Sequence, residues 1–100
     1  MNIMFSYLYR DAGNYKQHND EVFTNHHNYS VEHIRERILN CLIDREFISV
    51  EKWGLKDLHF KDWDSELDLL FHEFDDVANT LDAPTQYDID DFLKKIENIP

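Results

Sequence analysis

The sequence contains few of the residues and patterns that mark the more specialised classes of protein. Two glycines and two prolines in 100 residues leave few chain breakers, so most of the chain is predicted to form regular secondary structure. A single cysteine, Cys41, excludes a disulfide within the chain. The sequence has no run of eighteen apolar residues, and its start lacks the basic and then apolar pattern of a signal peptide. We therefore expect a cytoplasmic protein that does not bind a membrane.

Basic residues are also scarce, and they do not offset the acidic ones. Lys and Arg number 10 against 21 Asp and Glu, which gives a net charge of −11. Residues 51–100 carry most of this charge, with fourteen acidic and five basic residues. Such a surface repels phosphates, so direct nucleic-acid binding is not expected. It favours a partner protein with a basic surface, although solubility alone is the simpler interpretation.

The apolar residues are numerous enough for one folded domain over residues 1–100. They make up 42% of the chain, and fourteen of them are aromatic, which argues against disorder. Apolar and polar residues alternate over residues 3–10, turn formers follow, and β-formers resume before residue 24, so an antiparallel hairpin is predicted over residues 3–24. Ser30 is a good N-cap for a helix with an apolar stripe over residues 31–43.

The second half is predicted to add two further helices. Apolar residues recur at helical spacing over residues 67–81, and an extended segment after His72 is the alternative. Asp88 caps a last helix over residues 89–96. Residues 47–50 are a short apolar run that reads as a third strand or as an extended segment. The predicted fold is thus a small α+β domain with an N-terminal antiparallel β-hairpin and two or three helices packed on one face.

Carboxylates and imidazoles are concentrated in residues 59–76, and both are donor types that metal ions use. Carboxylate clusters suit hard cations, whereas imidazole together with carboxylate suits zinc or iron. On a helix, His72 and Asp76 would share a face. The spacing matches neither a His-Glu-x-x-His motif nor an EF-hand loop, and solvated surface charges are the alternative. The candidate metal ligands are His59, Asp62, Asp64, His72 and Asp76.

Large aromatic residues accompany these charges, and they are expected first of all to pack onto the core. If some are exposed instead, they would anchor a partner while neighbouring carboxylates meet its basic groups. The aromatic cluster around Trp53 and Trp63 could also form an oligomer contact. The candidate interaction residues are Trp53, Phe60, Trp63, Asp57, Asp68 and Asp75.

Motifs for nucleophilic or phosphate chemistry are lacking. Cys41 lies on the apolar face of a predicted helix, so we expect a buried, inert thiol. No serine lies in a Gly-x-Ser-x-Gly turn, and the isolated Gly13 and Gly54 form no phosphate-binding loop. The leading hypothesis is a non-catalytic protein-interaction module without a cofactor. The alternative is a small metal-binding protein or metal-dependent enzyme that holds a divalent metal ion with residues 59–76.

Three runs of the sequence can be set beside known sequences: residues 9–16 (YRDAGNYK), 53–58 (WGLKDL) and 71–74 (FHEF). They resemble runs in a group of short, acidic bacterial proteins of uncharacterised function, over most of the chain. The resemblance implies a bacterial protein, but it transfers no activity, cofactor, partner or functional residue. Within the first run, Arg10, Asp11 and Asn14 are expected to fix one another locally, and a small polar pocket is the alternative.

Overall fold

The computed structural model describes residues 1–61 and 70–100, which form one antiparallel sheet and three helices. The sheet has the strand order β2-β1-β4-β3. Its strands are β1 (Asn2–Arg10), β2 (Lys16–Phe23), β3 (Phe47–Ile48) and β4 (His72–Thr80). The helices are α1 (Val31–Leu39), α2 (Val50–Trp53) and α3 (Ile89–Glu97). The α+β class predicted from the sequence is confirmed.

The N-terminal hairpin forms as predicted. β1 and β2 pair from Ile3 opposite Phe23 to Arg10 opposite Lys16. In the turn, Asp11 accepts a hydrogen bond from the backbone N–H of Tyr15 at 2.8 Å, and Arg10 donates to Oδ1 of Asn14 at 2.5 Å. Both bonds join residues four positions apart, so the turn residues hold one another, and Nε of Arg10 also donates to Glu73 of β4 at 2.9 Å.

The conformation of β4 differs from the helix predicted there, and this is the largest error of the sequence-based prediction. Residues 72–80 were predicted as part of a helix over residues 67–81, but they form a strand that pairs with β1, which agrees with the alternative of an extended segment after His72. A β-bulge explains the error: Val77 lies opposite Phe5 and Phe74 lies opposite Tyr7, so three steps on β4 match two on β1. Phe74 and Val77 therefore share the core-facing side at a spacing that imitates a helix. Residues 70, 71 and 81 of that predicted helix belong to no helix or strand, and residues 67–69 lie outside the described residues.

The two longer helices begin at the predicted N-caps. Oγ of Ser30 accepts a hydrogen bond from the backbone N–H of His33, and the carboxylate of Asp88 accepts one from the N–H of Asp90. α1 ends at Leu39 rather than at residue 43 as predicted, and Ile43 instead bridges Phe47 in an antiparallel pair. None of the helices in residues 1–61 and 70–100 is sufficiently long and apolar to cross a membrane.

The core combines side chains of the sheet with side chains of all three helices. Alternate residues of β1 are fully buried, and the ring of Phe5 lies 6.4 Å from that of Trp53 in α2 and 5.5 Å from that of Phe92 in α3. Helix α1 packs against β4 and α3. Several of these core side chains are aromatic, and such large side chains dominate the energetics of protein cores. The most deeply buried core members are Ile3, Phe5, Tyr7, Tyr9, Phe23, Ile34, Ile38, Ile48, Ile89, Phe92 and Leu93.

Candidate functional site

A loop of residues 55–60 follows α2 and carries three of the candidate site residues, Asp57, His59 and Phe60. The hydroxyl of Tyr7 donates a hydrogen bond to the backbone oxygen of Lys56 at 2.7 Å. The side-chain amide of Gln17 donates to the backbone oxygen of Leu58 at 2.8 Å. Leu58 is itself buried, so both the backbone and a side chain anchor the loop. The hairpin therefore fixes the position of the loop.

His72 is the first residue of β4 and is fully buried. Its Nε2 accepts a hydrogen bond from the backbone N–H of Leu58 at 2.9 Å, so the neutral ring carries its proton on Nδ1. Among the described residues, Nδ1 of His72 has no hydrogen-bond partner. The ring centroid lies 5.0 Å from that of Tyr9 and 6.1 Å from that of Tyr7. An unpartnered buried donor is uncommon and calls for an explanation.

Asp57 and His59 bring their side chains to the same place. Oδ1 of Asp57 lies 2.8 Å from Nδ1 of His59 and 3.6 Å from Nε2 of His72. It also accepts the backbone N–H of His59 at 2.9 Å. The other ring nitrogen of His59 lies 3.1 Å from the backbone oxygen of Leu70. Each of the three side chains offers one atom that could bind a metal ion, and these three atoms lie within 4.8 Å of one another. We call these residues the Asp57–His59–His72 cluster.

The electrostatics of the cluster leave the carboxylate charged and the buried ring neutral. Burial acts to raise the pKa of Asp57, but the backbone N–H and the imidazole of His59 outweigh it, so this pKa lies below its usual value. Burial lowers the pKa of His72 from 6.5 to about 4, and the nearby His59 acts in the same direction while Asp57 opposes it. At neutral pH, Asp57 and His72 are both in the protonation states that metal coordination requires.

An apolar groove of about 590 Å³ lies beside the cluster, between the C-terminal ends of α1 and α3 and helix α2. Two large apolar residues on its lining are exposed, Ile43 at 42% and Leu70 at 62%. Cys41 also lines it and is half-buried rather than fully buried as predicted, and burial raises the pKa of its thiol. The complete lining is Asn40, Cys41, Ile43, Phe47, Ser49, Glu51, Lys52, Trp53, Leu70, Phe71, Ile96, Glu97, Ile99 and Pro100.

A smaller cleft of about 290 Å³ joins the groove to the cluster. Asp57 and His59 belong to its lining, so the cluster is reached from the surface on this side. Groove and cleft have four lining residues in common, namely Ser49, Glu51, Leu70 and Phe71.

The structure unites only part of the predicted metal-ligand set. His59 and His72 meet, but Asp76 does not join them, because four residues along a strand span about 13 Å. The carboxylate of Asp76 is instead held by Nε of Arg35 at 2.8 Å. The pairing of His72 with Asp76 had depended on helical spacing, which the bulged strand imitated. Asp62 and Asp64 lie outside the described residues.

The candidate interaction residues are likewise dispersed. Trp53 is 4% exposed and belongs to the core, and it also contributes to the lining of the groove. Phe60 is half-buried against the core, with its ring 6.2 Å from that of Tyr9. Asp75 is exposed at the bulge, and Asp57 belongs to the cluster. Trp63 and Asp68 lie outside the described residues. The role of Asp57 could have been suspected from its spacing of two from His59.

Comparison with known proteins finds no match for this chain. No protein-family model, no curated protein and no solved structure matches the chain. The resemblance to short, acidic bacterial proteins stays a prediction.

Proposed function

We propose that this domain is a non-catalytic module that binds another protein through the apolar groove, and that it works in the cytoplasm. The exposure of Ile43 and Leu70 beside a groove of about 590 Å³ carries the proposal. A groove of this volume accommodates several side chains of a partner. Apolar residues grouped at a concave surface mark interaction sites more often than isolated ones do.

The charge of the protein favours a particular kind of partner. Glu51 and Glu97 contribute carboxylates to the groove, Lys52 contributes one ammonium group, and the chain as a whole carries −11. Glu97 is already paired with Arg37 at 2.6 Å, and Glu51 and Lys52 carry opposite charges, so these side chains leave no local excess of negative charge. The long-range field of the whole chain therefore contributes most of the attraction for a basic segment. We infer a partner segment with large apolar anchors flanked by Lys or Arg.

A peptide library tests this proposal directly. Selection on immobilised protein should enrich segments that combine Leu, Phe or Trp with Lys or Arg. The selected peptides are then titrated against Leu70→Glu and Ile43→Glu by fluorescence anisotropy. Each substitution places a charge on the apolar lining, and we expect affinity to fall by tenfold or more, which is about 1.4 kcal/mol.

Leu81→Glu is the matched control, because Leu81 is 87% exposed, does not line the groove and receives the same change of charge. We expect this variant to retain the affinity of the parent protein within about twofold, since isolated exposed residues contribute little to a distant interface. Equal losses in all three variants would show that charge alone drives binding, and the groove would not be the site. Self-association that is abolished by Leu70→Glu would identify a second copy as the occupant instead.

A further inference from the structure

We propose that the Asp57–His59–His72 cluster is a binding site for a divalent transition-metal ion, with zinc as the best fit. The cleft that leads to this site shares four lining residues with the partner groove, but none of the three cluster residues lines the groove, and the inference does not depend on the proposed function. The three residues come from two parts of the chain, the loop after α2 and the first position of β4. The fold therefore brings them together, and a run of acidic residues does not produce the cluster.

The distances within the cluster suit one small ion. Nitrogen and oxygen ligands lie about 2.0–2.2 Å from zinc, and tetrahedral geometry then separates neighbouring ligand atoms by roughly 3.3 Å. Oδ1 of Asp57 lies 2.8 Å from Nδ1 of His59 and 3.6 Å from Nε2 of His72. All three ligand atoms lie within 4.8 Å of one another, so small side-chain shifts would place them on one ion. The ion would replace the present hydrogen bonds, including the one from the Leu58 N–H to His72.

The donor types indicate the class of metal. Two imidazoles with one carboxylate form a set that suits zinc, iron, cobalt or nickel. Magnesium and calcium prefer six or more oxygen ligands, and the cluster supplies one carboxylate. The ligand set thus discriminates against the hard cations that are most abundant in cells.

The burial of His72 fixes the ring nitrogen that it presents to the cluster. The ring is fully buried, and its Nε2 lies 3.6 Å from Oδ1 of Asp57 and accepts a hydrogen bond from the Leu58 N–H. An ion held by His72 would therefore bind Nε2 in place of the Leu58 N–H.

The cluster also has an approach path and an open coordination position. The cleft of about 290 Å³ reaches Asp57 and His59 from the surface. Three protein ligands leave a fourth position on a tetrahedral ion for water or for a group that enters through the cleft. In addition, the ion would clip the loop after α2 to β4, because its ligands lie at residues 57, 59 and 72.

Two measurements on the metal-free protein test the site. Zinc alone is titrated into the protein and the titration is followed by calorimetry, and thermal unfolding is then measured with and without zinc. We expect one zinc per chain and a midpoint that rises by several degrees, since an ion that binds the folded state stabilises it. Magnesium and calcium at the same concentration should leave the midpoint unchanged. Replacing zinc by cobalt should give the visible absorption of a four-coordinate ion, which reports on the ligands directly.

Variants locate the ion. His59→Ala and Asp57→Asn should weaken binding by tenfold or more, because each removes one ligand from a partly exposed position where the fold is retained. Asp75→Asn is the matched control for charge, and the double variant His26→Ala, His27→Ala controls for binding by other histidines. Both controls should bind as the parent does. Unchanged binding in His59→Ala, loss of binding only in the His26 and His27 double variant, or no zinc effect at all would overturn the proposal.

Discussion

The protonation of His72 predicts a specific pH dependence of stability. In the folded protein, burial lowers the pKa of this imidazole from 6.5 to about 4. The unfolded state therefore binds more protons between these two values, and stability falls as pH decreases through this window. The contribution of neutral His72 to the unfolding free energy is therefore fully present above about pH 6.5. The measurement is made with EDTA, so that no metal contributes.

The magnitude follows from the two pKa values. Each unit of difference is worth 1.36 kcal/mol, and about two and a half units give a limit of roughly 3 kcal/mol at low pH. Between pH 7 and pH 5 alone, the loss of unfolding free energy is about 2 kcal/mol. Most carboxylates stay ionised in both states over that interval, so His72 can be observed separately from acid denaturation.

Urea denaturation of the parent protein and of His72→Gln at both pH values provides the assay. For a chain of this size, about 2 kcal/mol moves the urea midpoint by roughly 1–2 M. Glutamine retains an acceptor for the Leu58 N–H but does not titrate, so the variant should lose much less stability between pH 7 and pH 5. Equal shifts in the two proteins would refute the assignment of the low pKa to His72.

Two further predictions concern stability at positions outside the cluster. Asp88→Ala should lower the unfolding free energy by about 1–2 kcal/mol, because this N-cap accepts hydrogen bonds from the Thr24 hydroxyl and from the N–H groups of His26 and Asp90; urea denaturation checks this, and a change below about 0.3 kcal/mol would contradict it. Gly54→Ala should lower the unfolding free energy by about 1 kcal/mol or more, because Gly54 has φ +70, a backbone conformation that is unfavourable for a residue with a Cβ, whereas the Lys95 ammonium group near that Cβ can move aside. An unchanged thermal midpoint would contradict this prediction.

Local sequence patterns were sufficient where structure depends on near neighbours. The hairpin followed from alternation and turn formers, and its pairing of Ile3 with Phe23 agrees. The N-caps Ser30 and Asp88 were recognisable because a capping side chain acts on an N–H two or three residues ahead. In these cases, the determining contacts lie within a few residues of one another.

The strand β4 could not be predicted with the same rules, because its pattern depends on a distant strand. Val77 faces the core opposite Phe5, and Phe74 faces it opposite Tyr7, with Asp75 as the extra residue of the bulge. Alternation is lost at that residue, so the spacing resembled that of a helix. Pairing with the central strand β1 then decides the conformation, since tertiary contacts outweigh such a local preference.

The cluster shows the same dependence on distant contacts. Asp57 and His59 are two of its three residues and lie two positions apart, but no local rule indicates that residue 72 completes it. Three hydrogen bonds determine the arrangement: Tyr7 to Lys56, Gln17 to Leu58, and Leu58 to His72.

Tyr7 of β1 and Gln17 of β2 make the first two bonds, so both strands of the hairpin hold the loop. His72 of β4 makes the third bond. A substitution in the hairpin can therefore alter the proposed metal site without touching any of its ligands. Gln17 illustrates this point, because its side chain is exposed on β2 and yet holds the backbone oxygen of the residue between Asp57 and His59. The backbone oxygen of Leu58 accepts the bond from Gln17, and the N–H of Leu58 donates to His72. A change in the position of the loop at Leu58 would therefore also change the contact that holds the buried imidazole.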